Sequence, residues 1–93
     1  AAKVAMQQDH TQKALDHWET AGKLHSGVEA WNLAEVSFAF ALGINPSQVD
    51  VLCGLALAQI KNGQFVSAQT TIDTLSQLDP GNPEVVELQR LLP

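Results

Sequence analysis

Three histidines, His10, His17 and His25, stand seven and eight residues apart. Imidazoles can hold a metal, but two ligands on one helix must lie three or four residues apart to reach the same ion. His10 and His17 are two turns apart, about 10.5 Å along a helix axis. They read as solvent-facing or core-edge side chains, and no metal is expected. The carboxylates Asp16 and Glu19 are one turn apart, on ordinary acidic surface. General acid–base chemistry needs one acid lifted by apolar burial. No acid here is embedded in a hydrophobic run, and Asp79 and Asp73 offer nothing better: Asp79 precedes Pro80 and reads as a turn residue. Cys53 is the only cysteine. A nucleophilic thiol needs a base and an electropositive setting, whereas its sequence neighbours are Leu52, Gly54 and Leu55. It reads as a small packing or groove residue. Ser26-Gly27 and Pro80-Gly81-Asn82 read as turns, not as phosphate-cradling loops. Without a nucleophile–base pair, the expectation is a protein that is not an enzyme and takes no cofactor.

The bulk composition narrows the partners. The chain has 93 residues, a formal charge of −5 and a pI near 4.8. Its five cationic residues, Lys3, Lys13, Lys23, Lys61 and Arg90, are scattered. No basic stripe is present to neutralise phosphates, so neither nucleic acid nor an anionic membrane surface is expected as a partner. No apolar run approaches the roughly 20 residues of a membrane span. A lone cysteine forms no disulfide within the chain, which favours a reducing, cytoplasmic setting. The Ala1-Ala2 start reads as a fragment or a processed product and does not resemble a signal peptide.

Five helices account for the periodicity. Residues 10–25 carry Ala14, Leu15, Trp18, Ala21 and Leu24 at three- and four-residue steps, and Ser26-Gly27 breaks the run. Residues 28–42 place Trp31, Ala34, Phe38 and Ala41 on one face, with Leu33, Val36 and Phe40 elsewhere. That distribution predicts a helix buried on more than one side, ended by Gly43 as a left-handed cap. The third helix is expected to follow Ser47 as N-cap, with Asp50 completing a capping box, and to run to Lys61. The fourth spans residues 64–78. The fifth starts from Asn82 as N-cap and Pro83 in the first turn. The fold class expected is all-α, and no strand pattern competes.

The chain also counts. Pro46 and Pro80 are 34 residues apart. Overlaying 15–48 on 49–82 matches sizes: Gly22 with Ala56, Ala34 with Ala68, Trp31 with Phe65, Phe38 with Ile72. Small residues fall where helices must approach, large ones where gaps need filling. This pattern resembles the tetratricopeptide repeat: Trp18-x-x-Ala21-Gly22 is similar to its opening, and Phe65-x-x-Ala68-x-x-x-Ile72 with Asp79-Pro80 to its second half and close. The tyrosine expected late in the first helix is instead His25 or Gln59, and Gly27 comes two residues earlier in its repeat than Gly63. The resemblance implies a single domain of stacked antiparallel helix hairpins, an α-solenoid of about two and a half repeats. Its parts would be an N-terminal extension or the end of a preceding repeat (1–14), two repeats (15–48 and 49–82) and a capping helix or start of a further repeat (83–93).

In that family the first helices of successive repeats line a concave groove that holds a partner segment. Carried over by position, the lining would be Asp16, Glu19, Lys23 and Ser26 from the first helix, and Asp50, Cys53, Leu57 and Ile60 from the third. The fifth helix would add Glu84, Glu87 and Leu91. Cys53, Leu57 and Ile60 would form an apolar patch. Only Lys23 could serve a carboxylate clamp, and Asp50, Glu84 and Glu87 would repel an anionic peptide end. The partner implied is another protein or peptide segment with apolar anchors and basic flanks, held by a scaffold or chaperone-like adaptor. The alternative expectation is self-association through the apolar groove or a repeat end.

Overall fold

A computed structural model describes residues 2–93, with side chains from residue 12 onward. His10 lies outside the described side chains. Five helices follow one another: α1 (Ala2–Gly27), α2 (Trp31–Ile44), α3 (Val49–Lys61), α4 (Phe65–Leu78) and α5 (Pro83–Leu91). Helices α1 and α2 form one antiparallel hairpin, α3 and α4 a second, and α5 closes the stack against α3 and α4. Among the described residues there is no strand. The architecture is all-α, a stack of helix hairpins.

The central helix is α3, and its sequence explains why. Eight of its 13 residues are buried, because apolar residues occur all round its circumference. One face sends Val51, Leu55 and Ala58 against Leu15, Ala34, Phe38 and Ala41 of the first hairpin. The opposite face sends Leu52, Ala56 and Ile60 against Ala68, Ile72 and Leu75 of α4 and Val85 and Leu88 of α5. Each hairpin therefore buries its apolar side only by sharing α3. The small residues Ala34, Ala56 and Ala68 are fully buried, as close helix approach requires.

The 34-residue stride is written into the backbone. The Glu29 and Gly63 amides donate to the Ser26 and Ile60 carbonyls (3.1 and 3.0 Å), and those of Ala30 and Gln64 to His25 and Gln59 (2.8 Å each). Asn45 and Asp79 donate to Ala41 and Leu75 at 3.0 and 2.8 Å. Each bond has its copy one repeat later. The turn residue at the end of each first helix is left-handed: φ is 76° at Gly63 and 60° at Glu29. The expected break at Ser26-Gly27 is corrected accordingly. Gly27 ends α1, and the reversal falls on Glu29, in register with Gly63.

Other local expectations shift for physical reasons. Gly43 is helical, and α2 runs on to Ile44, with Asn45 as its C-cap. Ser47 does not cap α3. Gln48 occupies that position without a side-chain bond to the helix's first amides, while the Ser47 amide donates to Asn45 Oδ1 at 3.2 Å in an Asx turn. At α5, the Glu84 amide donates to Asn82 Oδ1 at 2.8 Å and Pro83 opens the helix, as its sequence predicts. Helix α2 is not buried on several sides, because Leu33, Val36 and Phe40 all face out. Phe65, matched with Trp31 as a core filler, is instead 41% exposed. Trp31 packs against the first core and lies under the Lys61 ammonium, 6.0 Å from its ring.

Candidate functional site

Phe38 fixes the spacing of the site. Its ring lies between glycines on two different helices: a Cβ on Gly22 of α1 would sit 2.5 Å from Phe38 Cε1, and one on Gly54 of α3 would sit 2.6 Å from its Cζ. Only hydrogen at both Cα positions admits the ring and lets α1 and α3 straddle it. A concave cleft of about 360 Å³ opens above this wedge. Its floor is Phe38, Gly54, Cys53 and Leu57, and its rim is Lys23 and Ser26 from α1, Asp50 from α3 and Glu84 from α5. The cleft thus draws on α1 and α3, the first helices of the two hairpins, and on α5, with one aromatic edge from α2.

The positions expected to line the groove divide. Lys23, Ser26, Asp50, Cys53, Leu57 and Glu84 come together around the cleft. Ile60 does not. It is 8% exposed and belongs to the core shared with α4 and α5. Cys53 is 9% exposed, so it is floor, and only Leu57 of the anticipated apolar patch is half-open. Asp16 turns to another side of α1, beside Lys13 and His17, and accepts from Gln12 at 2.9 Å. Glu19 supports the rim from behind: it pairs with Lys23 at 3.1 Å and accepts from Gln48 Nε2 at 3.4 Å. Glu87 faces solvent and pairs with Arg90 at 3.3 Å, away from the cleft, and Leu91 is half-exposed outside it.

The electrostatics of the floor are negative. The Cys53 thiol is pushed up to about 12, first by burial, then by its hydrogen bond to Glu84, then by the charges of Glu84, Asp50 and Asp79. It is a protonated packing group, not a nucleophile. Lys23 does not cancel this field, because its charge is already matched by Glu19. Among the described residues no group of three or more His, Cys, Asp or Glu side chains could hold a metal ion. None of the described helices is long and apolar enough to cross a membrane.

Phe38 and Gly54 are the lining residues that sequence reasoning did not place in the groove. Phe38 was legible as core. That its edge also forms floor depends on Gly54, two residues before the conventional small slot at Ala56. A glycine inside an otherwise strong helix, costing about 1 kcal/mol relative to alanine, is the signal that marks the site.

No curated protein and no solved structure matches the chain. The tetratricopeptide repeat family model matches residues 5–92. That family generally mediates protein–protein interaction. With the paired helices, the recurring turn bonds and nearly the whole chain matched, the chain belongs to the tetratricopeptide repeat family.

Proposed function

We propose that the cleft between α1, α3 and α5 holds a segment of a partner protein, and that the chain serves as a scaffold or chaperone-like adaptor. The supporting observation is the make-up of the cleft: an apolar floor of Phe38, Gly54 and Leu57 beneath a rim carrying Asp50 and Glu84. An apolar anchor on the partner would displace water from the floor, and flanking lysine or arginine residues would meet the acidic rim. The same rim disfavours an anionic peptide end. The net charge of −5 adds long-range attraction for a cationic segment.

Display selection tests this reading. A random-peptide library is panned on the intact chain, and in parallel on the Leu57→Asp and Asp50→Lys/Glu84→Lys variants. Enrichment of sequences pairing an apolar residue with nearby Lys or Arg, lost on both variants, is the expected result. Enrichment indifferent to the variants, or of acidic peptides, contradicts it.

A further inference from the structure

The first hairpin carries a second face, opposite α3, that water alone should not cover. Repeat register shows what its α1 side is built for. His17, Ala21, Leu24 and Val28 stand 34 residues before Val51, Leu55, Ala58 and Asn62. On α3, Val51, Leu55 and Ala58 are buried against the first hairpin, and Asn62 bonds the Trp31 carbonyl and Glu35 of α2 at 3.2 and 2.8 Å. On α1, none of the described residues packs in the equivalent place, and Leu24 and Val28 are 67% and 75% exposed. A shallow furrow of about 360 Å³ runs along this side, past His17, Ala21 and Leu24.

Helix α2 continues the face with a ridge. Leu33, Val36 and Phe40 lie on one side of it and are each about half exposed. Their counterparts on α4, one repeat on, are Ser67, Thr70 and Thr74, all exposed and polar. Stacking of hairpins therefore does not demand apolar residues at these positions, and only α2 has them. Phe40 stacks on Trp18 of α1, with centroids 4.7 Å apart, which joins ridge to furrow.

We infer that this face is a docking surface for a second copy of the chain, paired about a two-fold axis. Three features select a copy. A two-fold interface must be self-complementary, and here one face offers both parts: the α2 ridge of each copy can enter the α1 furrow of the other. The five exposed side chains Leu24, Val28, Leu33, Val36 and Phe40 present on the order of 500 Å² of apolar surface, enough for the centre of an interface that needs about 800 Å² per partner. Finally, copies of an acidic chain repel, so a contact must avoid their charge. The only charged residue on α2, Glu35, is turned to Asn62 of α3, and the two charged residues lining the furrow, Lys13 and Asp16, are of opposite sign. The inference is independent of the peptide cleft, which lies on another side.

Analytical ultracentrifugation of the intact chain from micromolar to near-millimolar concentration tests it. The expected result is a monomer–dimer equilibrium accompanied by a blue shift of tryptophan emission as Trp18 is covered. Leu24→Glu and Val36→Glu, both at exposed positions, should keep the helical circular dichroism and raise the dimer dissociation constant by more than about tenfold. Thr70→Glu, at the α4 counterpart of Val36, should change nothing. A single-copy mass at every concentration overturns the inference and leaves the face to a helix of another polypeptide. A dimer unaffected by both glutamates overturns it equally.

Discussion

The Phe38 ring and the Gly54 Cα are in contact across the α2–α3 boundary, so closely that a Cβ on Gly54 would lie 2.6 Å from Phe38 Cζ. Two effects of opposite sign meet at Gly54→Ala. Helix propensity alone would stabilise α3 by about 1 kcal/mol. Overpacking against a ring that is 2% exposed costs about 1–3 kcal/mol, and the ring has helices on both sides and nowhere to move. Packing should win, and thermal melts should show Gly54→Ala less stable than the parent chain. Adding Phe38→Leu should recover part of the loss. A stabilised Gly54→Ala would mean the ring is not wedged.

The left-handed residue in the first turn is a glutamate. Its counterpart Gly63 occupies the same conformation with no Cβ in the way, whereas Glu29 at φ 60° carries the steric cost of about 1 kcal/mol. Glu29→Gly should therefore stabilise the chain by about 0.5–1 kcal/mol, net of the extra unfolded-state entropy of glycine. Gly63→Ala should destabilise it. Urea midpoints measure both, and equal or opposite shifts would remove the common turn geometry.

Leu57 and Ile60 sit three residues apart on α3, yet their substitutions should separate. Ile60 is inside the second core, so Ile60→Asp buries a carboxylate without a partner, with loss of more than about 3 kcal/mol. Leu57 is half-open at the cleft, and Leu57→Asp should leave the helical signal intact while weakening peptide capture. Circular dichroism melts of the two single variants make the comparison. Matching melting points would place both residues on the same surface.

Cys53 should be unreactive at neutral pH towards a thiol reagent, and become reactive at the rate of global unfolding. With its folded-state value raised from 9.0 to about 12, the folded chain holds the thiol proton more tightly than the unfolded chain. The thiol's contribution to stability is fully present below pH 9.0 and is lost as pH rises towards about 12. Urea titrations from neutral to alkaline pH should show a steeper alkaline decline for the parent chain than for Cys53→Ala. Identical slopes would contradict a buried thiol facing Glu84.

Much of this was legible in the sequence because packing constrains residue size. The Pro46–Pro80 interval, the Ala34 and Ala68 slots and the Asn82-Pro83 start all express contacts that tolerate few alternatives. What was not legible depended on orientation. Helical spacing alone leaves Leu57 and Ile60 neighbours; only the place of α4 and α5 around α3 puts one at the cleft and one in the core. The Ser26-Gly27 pair signalled a turn, but the strained residue is Glu29, whose type gives no hint of a positive φ. The apolar residues of α2 read as burial because a single sequence does not distinguish a core face from an interface.

The central claim is that the acidic-rimmed cleft holds a partner segment through apolar and cationic contacts. Its most direct test is the dissociation constant of a display-selected peptide for the parent chain and for Asp50→Lys/Glu84→Lys, each at low and high salt. The account predicts that charge reversal weakens binding by at least about tenfold, and that salt weakens the parent complex but not the variant's residual binding. Equal affinity of the two proteins for a peptide that still competes at Leu57 would contradict it.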